Sequence, residues 1–237
     1  EKLNSPLSDF CPVFYKNWIV FSSERIRDII TNTQNNSTGN PYLSLVYAKG
    51  RKEKDSIVYD DNVTLFNKKF SNDGRYGSAC YGPACFNADF TEIYYTKVDN
   101  TAKQGAVSQP KLYWSNLSGR DNAALPFASS DYATGHPSLS KDGQSLFFAS
   151  NMPGGQGGTD LWVSKKENGT WGPPQNLGAG INTKGDDTFP HISANNILYF
   201  SSNGHPGFGG LDIFAAVQKD GKWNNPGNMM FPINSTG

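Results

Sequence analysis

The chain repeats itself. Ser150, Asn151, Gly155, Gly157, Gly158 and Asp160 recur 52 residues later as Ser202, Asn203, Gly207, Gly209, Gly210 and Asp212. The same offset carries Trp171 to Trp223, Pro174 to Pro226, Asn176 to Asn228 and Ile181-Asn182 to Ile233-Asn234, with no gap. A period of this length means that one supersecondary unit is stacked on copies of itself. Prolines mark the earlier copies: Pro190, Pro137 and Pro83 lie 53 and 54 residues apart, and Pro12 precedes Pro83 by 71. Each proline is followed by an aromatic-rich strand ending near Ser23, Thr96, Ser150 and Ser202, then by a third strand.

Within a unit, short apolar runs alternate with turn chemistry. Asn168-Gly169 and Asp220-Gly221 sit between such runs, and Asp142-Gly143 occupies the other tight turn of the third unit. Asn-Gly and Asp-Gly pairs supply the positive φ that tight hairpins require. Period-2 alternation with 25 Gly and 14 Pro excludes helical solenoids. Four antiparallel strands per repeat of about 50 residues is the blade of a β-propeller. The expected fold is therefore all-β, one propeller domain over 1–237. Its blades are expected at about 3–60, 61–126, 127–180 and 181–232, with 233–237 starting a further repeat. Leu3-Asn4-Ser5 and Ile233-Asn234-Ser235 resemble Ile181-Asn182-Thr183, and the chain opens on Glu1. These ends make an excised piece with an incomplete ring the expectation. An open array would leave an apolar face for more chain or a partner to cover.

Composition narrows function. The 21 Lys+Arg balance 21 Asp+Glu, and no basic run supplies a footprint for phosphate, so nucleic acid is not an expected partner. No apolar stretch reaches the length of a membrane helix. Three cysteines are too few for a disulfide scaffold. Cys80 and Cys85 flank the turn-prone Tyr81-Gly82-Pro83 and read either as a local bridge or as two small buried hydrophobes.

The segments from His136 to Ile192 and from Tyr199 to Ala215 resemble the TolB-like, WD-repeat-like propellers of Bacteroidota envelope proteins, the PorE-like, type IX secretion-associated proteins of the OmpA family. That resemblance is strong over 130–237 and looser over 3–115. It implies a periplasmic, outer-membrane-associated scaffold with envelope proteins as partners. Peptidoglycan would be reached only through a domain that these residues do not include.

Candidate chemistry is sparse. In the glycine-rich runs before Asp160 and Asp212, the two carboxylates are read as acceptors of backbone N–H bonds that fix the loop. The alternative is weak calcium ligation, because the calcium nonapeptide spacing is off by one. Gly155, Gly157, Gly158, Gly207, Gly209 and Gly210, with Trp171 and Trp223, form the structural blade motif. His136, His191 and His205 have no metal-ligand spacing. Arg25 and Arg27, in the polar insertion Glu24–Asn40, and Asp186-Asp187, before a first strand, are the expected partner rim. No catalytic set and no cofactor site is read, and the expected function is a non-enzymatic interaction scaffold. The alternative is a carbohydrate-binding or glycoside-hydrolase module using Trp114 or Trp162 as stacking surfaces and a carboxylate pair.

Overall fold

A computed structural model describes residues 3–25, 43–54, 56–66, 79–99, 108–118 and 121–236. Arg27, most of the insertion after Glu24 and much of the loop after Lys97 lie outside the described residues. The chain forms two compact units, Glu1–Ala124 and Leu125–Gly237, each with two blades.

In the first unit, one sheet runs in the order β1 (Asp9–Tyr15), β2 (Trp18–Ser23), β3 (Ser44–Glu53) and β4 (Ser56–Tyr59), with β5 (Thr64–Leu65) also on β3. The next comprises β6 (Ala79–Phe86), β7 (Glu92–Asp99), β8 (Lys111–Asn116) and β9 (Asn122–Ala124). All these pairings are antiparallel. Alternate residues of the two sheets face each other, so Tyr15, Val20, Leu45, Phe66, Tyr81, Ile93 and Tyr95 form one core. Tyr15 touches the rings of Trp18, Phe66, Phe86 and Phe90 with centroids 4.9–5.7 Å apart. Such ring pairs add about 0.5–1.5 kcal/mol each beyond area burial.

The second unit repeats the plan. Its third blade holds β10 (Thr134–Leu139), β11 (Ser145–Ser150), β12 (Asp160–Glu167), β13 (Thr170–Trp171) and β14 (Gln175–Asn176). Its fourth holds β15 (Asp187–Ile192), β16 (Ile197–Ser202), β17 (Asp212–Lys219), β18 (Lys222–Trp223) and β19 (Gly227–Asn228). Phe148 pairs with Trp162 and Phe200 with Phe214, each two residues before the serine that opposes Asp160 or Asp212. The two phenylalanines therefore hold matching places in neighbouring blades, both buried. Phe147, Leu161 and Ile181 of the third blade pack with Ile192, Leu198, Phe200 and Phe214 of the fourth. Fully burying each such side chain stabilises the fold by roughly 1.5–3 kcal/mol.

Two details depart from the simple four-strand plan. The outer strand is broken in three of the four sheets: β4 and β5 both pair with β3, β13 and β14 with β12, and β18 and β19 with β17. Gly172-Pro173-Pro174 causes the break in the third blade, because proline offers no N–H to the ladder. The second departure is Tyr81-Gly82-Pro83, which is not a turn. It lies inside β6, which spans Cys80 to Cys85 with a bulge between Tyr81 and Ala84. Strand rise of about 3.3 Å per residue carries these two Cα atoms well past the ~7 Å a disulfide spans. Cys80 and Cys85 are half-buried thiols, not a bridge.

Candidate functional site

Each first strand is a sheet edge interrupted at its proline. The register slips between Phe10 and Val13, Tyr81 and Ala84, Gly135 and Ser138, and Thr188 and His191. The residue before the proline takes left-handed φ at Cys11 (53°), His136 (55°) and Phe189 (49°); Gly82, in the same place in the second blade, does not. A bulge re-aims its side chain and ends pairing, which blunts an edge against unwanted strand addition.

At the bulges of β10 and β15 the two blades touch. His136 stacks on Phe189 with centroids 3.9 Å apart and planes within 8°. The Phe189 N–H donates to His136 Nδ1 at 3.4 Å, so that nitrogen is unprotonated, and the Thr188 hydroxyl donates to it at 2.6 Å. Burial pushes the His136 pKa down to about 4, so the ring is neutral at pH 7. Burial lowers that of His191 as well.

The carboxylates expected on a rim divide into two kinds. Asp187 opens β15 fully buried, and its Oδ2 accepts the Thr183 N–H (2.6 Å) and hydroxyl (2.9 Å). Asp9 opens β1 in the same way, accepting the Ser5 N–H (2.6 Å) and hydroxyl (2.8 Å). Arg25 completes that first copy. It is turned inward rather than presented to a partner, pairing with Asp9 at 2.6 Å and donating to Leu3 O at 2.6 Å. Burial alone would raise the Asp9 pKa, but hydrogen bonds from Arg25, Ser23 and Ser5 outweigh it and hold the carboxyl at about 2. Arg25 stands two residues after Ser23. Two residues after Ser202 is Gly204, and Asp187 Oδ1 has no hydrogen-bond partner among the described residues. Asp186 is exposed, but it bridges blades: its Oδ1 accepts the Thr159 N–H at 2.9 Å and its own N–H donates to Asn203 Oδ1 at 2.7 Å.

The glycine-rich loops fold over their own carboxylates. Asp160 accepts the N–H groups of Gln156 (2.5 Å) and Gly157 (3.2 Å) and the side-chain amide of Asn176 (2.7 Å). Asp212 accepts those of Phe208 and Gly209. Among the described residues, no group of three or more His, Cys, Asp or Glu side chains is placed to hold a metal ion. Trp171 is buried and Trp223 half-buried, the latter edge-on to Phe147 at 6.1 Å. Trp162, the proposed sugar-stacking surface, is buried and donates its indole N–H to Ser150 O at 3.2 Å, so it offers no free face; Trp114 is half-buried.

Two residues whose recurrence the repeat displays without showing their role are Asn182 and Asn234. The Asn182 side chain accepts the Leu161 N–H (2.8 Å) and donates to Leu161 O (3.0 Å) and Asn176 Oδ1 (2.9 Å). Asn234 does the same with Ile213 and Asn228. An Asn whose amide completes a strand's ladder is hard to foresee, because the partner lies 21 residues away in sequence.

The fourth blade also exposes large apolar side chains. Phe208, Leu211, Ile213, Val217, Met230, Phe231 and Ile233 of the fourth blade are all exposed. Among the described residues no helix is long and apolar enough to cross a membrane.

No protein-family model and no curated protein matches the chain. Solved structures do. A protein from Agrobacterium tumefaciens assigned as TolB superposes with a TM-score of 0.56 at 13% identity, over 98% of this chain and 84% of that one. A puromycin-hydrolysing peptidase of Mycobacterium tuberculosis gives 0.53 at 14% identity, over 97% of this chain and 39% of that one. TolB from Acinetobacter baumannii gives 0.51 at 13%, over 94% and 45%. The chain thus spans less than half the length of the last two. Identity this low carries the architecture and not the activity, and the architecture common to these neighbours and to the four sheets here is the TolB-like β-propeller fold.

Proposed function

We propose that the chain is a non-enzymatic protein-interaction scaffold: blades hold a docking surface rigid, and a partner protein covers it. The observation that carries this reading is the run of exposed apolar side chains on the fourth blade, from Phe208 and Leu211 through Ile213 and Val217 to Met230, Phe231 and Ile233. Single exposed hydrophobes are ordinary, whereas a group of this size marks a protein contact. The conspicuous polar groups support the same reading, since Asp9, Asp160, Asp187, Asp212, Asn182 and Asn234 are engaged in framework hydrogen bonds. The setting, a periplasmic complex at the outer membrane and type IX secretion in particular, rests on the sequence resemblance.

The test is a photo-reactive phenylalanine analogue at position 231, activated in an envelope fraction. The expected result is a discrete protein adduct that is missing when the probe replaces exposed Glu167. No protein adduct at 231 above that control would overturn the scaffold reading.

A further inference from the structure

The four blades share one position, three places before the bulge proline, and fill it differently. It holds Asp9 in the first blade, Cys80 in the second, Thr134 in the third and Asp187 in the fourth. Asp9, Thr134 and Asp187 each oppose a serine of the next strand: Ser23, Ser150 and Ser202. Two residues after those serines stand Arg25, Met152 and Gly204. Carboxylate and counter-charge thus occur together in the first blade and are both absent from the third. Only the fourth blade sets a carboxylate here without a basic residue in the matching place.

The acceptors that Arg25 serves can be followed across the repeat. Its guanidinium donates to Leu3 O, to Ser23 Oγ and to the Asp9 carboxylate. The fourth-blade counterparts are Ile181 O, Ser202 Oγ and Asp187. Ile181 O meets His205 Nε2 at 2.8 Å, and Ser202 Oγ accepts the N–H groups of Gly204 (3.1 Å) and His205 (3.3 Å). Thr183 serves Asp187 Oδ2. Asp187 Oδ1 is left over: buried by this chain's own residues, it has no hydrogen-bond partner among the described residues. No side chain at position 204 can supply a charge to it, because a Cβ on Gly204 would run into Thr183. A buried carboxylate oxygen without a partner is strongly destabilising, and an opposite charge beside it removes that cost.

We infer that Asp187 holds a monovalent metal cation, sodium or potassium, in the place that the Arg25 guanidinium takes beside Asp9. Charge sets the valence. One carboxylate is balanced by one positive charge, as in the Asp9–Arg25 pair. The neighbouring Asp186 is exposed and accepts the Thr159 N–H instead, so no second carboxylate is turned inward to match a divalent ion. The donor atoms are hard oxygens, with the hydroxyls of Thr183 and Ser202 flanking the carboxylate, and such oxygens select hard cations over transition metals. Thr183 and Asp187 belong to the segment that leads from the third blade into β15, so the ion would stiffen the link between the two blades. This site is separate from the apolar surface on which the scaffold reading stands.

Thermal melting of the full chain in about 100 mM sodium, potassium or tetramethylammonium chloride tests the inference, the last being a cation too large to enter. An ion bound only by the folded state raises the melting temperature. Sodium or potassium is expected to raise that of wild type by at least about 3 °C over tetramethylammonium at equal ionic strength. Asp187→Thr, which copies Thr134 of the third blade, should abolish the difference and melt no lower than wild type in tetramethylammonium. Asp187→Asn, equal in shape and uncharged, should abolish it too, whereas Asp186→Asn should keep it. Line broadening of the sodium-23 or potassium-39 resonance, for whichever ion stabilises, reads binding directly and should vanish in both Asp187 variants. Wild type melting alike in all three salts overturns the inference. So does a response that survives in the Asp187 variants or disappears in Asp186→Asn.

Discussion

His136 shows how one side chain couples a blade junction to pH. Its Nδ1 accepts two hydrogen bonds from the neighbouring blade, and protonation would set a donor against both. The folded-state pKa of about 4 lies below the unfolded value of about 6.5, so the folded chain binds fewer protons than the unfolded one across that window. The stabilisation is fully present above about pH 6.5, declines as pH falls and is gone below about 4, a loss of about 3 kcal/mol. In urea unfolding followed by tryptophan fluorescence, wild type should lose stability between pH 7 and 4 by about that much more than His136→Gln. Equal slopes would mean that the ring is not neutral and buried as described. The two asparagines give a second contrast. Asn182→Ala leaves the wholly buried Leu161 N–H unpaired, while the Leu161 carbonyl keeps the Leu177 N–H, and should cost about 1–3 kcal/mol. Asn234→Ala removes the same pair of bonds beside Ile213, where water can replace them, and should cost about 1 kcal/mol or less. Equal costs in the same assay would count against the difference in burial.

Elements were legible wherever local chemistry decides them. Asn168-Gly169 and Asp220-Gly221 do turn with both residues at positive φ, joining β12 to β13 and β17 to β18. The 52-residue offset placed Phe148 and Phe200 in equivalent positions because identical patterns fill identical pockets. Reading Tyr81-Gly82-Pro83 as a turn went astray because Gly-Pro is also the chemistry of a bulge. A bulge and a turn separate only when a partner strand is known, here β7. Likewise Arg25 looked like a rim residue because nothing nearby in sequence reveals that Asp9, 16 positions earlier, lies beside it. The glycine loop yields a prediction at this scale. A Cβ on Gly157 would meet the backbone of Thr183 and Lys184 at 2.4–2.6 Å, atoms that belong to the lead-in of β15. Gly157→Ala should therefore cost about 1–3 kcal/mol and speed hydrogen exchange at the Gly158 and Asp187 amides, which bond across that junction. Gly210→Ala, facing open space, should stay within about 0.5 kcal/mol of wild type. If both behave alike, the close approach is not a constraint.

At the scale of the whole molecule, the repeat told how many blades to expect, and aligning it with itself singles out the positions on which the proposed docking surface rests. Glycine, Asp and Asn positions are kept between the third and fourth blades because each holds the same turn or ladder. Gln156, Thr159, Lys165 and Ala179 become Phe208, Leu211, Val217 and Phe231. From sequence alone those changes are indistinguishable from core variation, since burial of the counterpart positions must be known before they stand out. A partner docked on them, as proposed, would be held by apolar burial in a chain whose formal net charge is zero. Electrostatic contacts weaken steeply as salt shortens the Debye length from about 10 Å at 0.1 M to 3 Å at 1 M. Burial of apolar surface does not depend on that length. The dissociation constant of the complex formed through this face should therefore change by less than about 3-fold between 0.1 and 1 M sodium chloride, measured by sedimentation or fluorescence anisotropy. A fall in affinity of 10-fold or more over the same range would assign the binding to charged groups elsewhere on the surface, and the exposed face of the fourth blade would lose its place as the docking site.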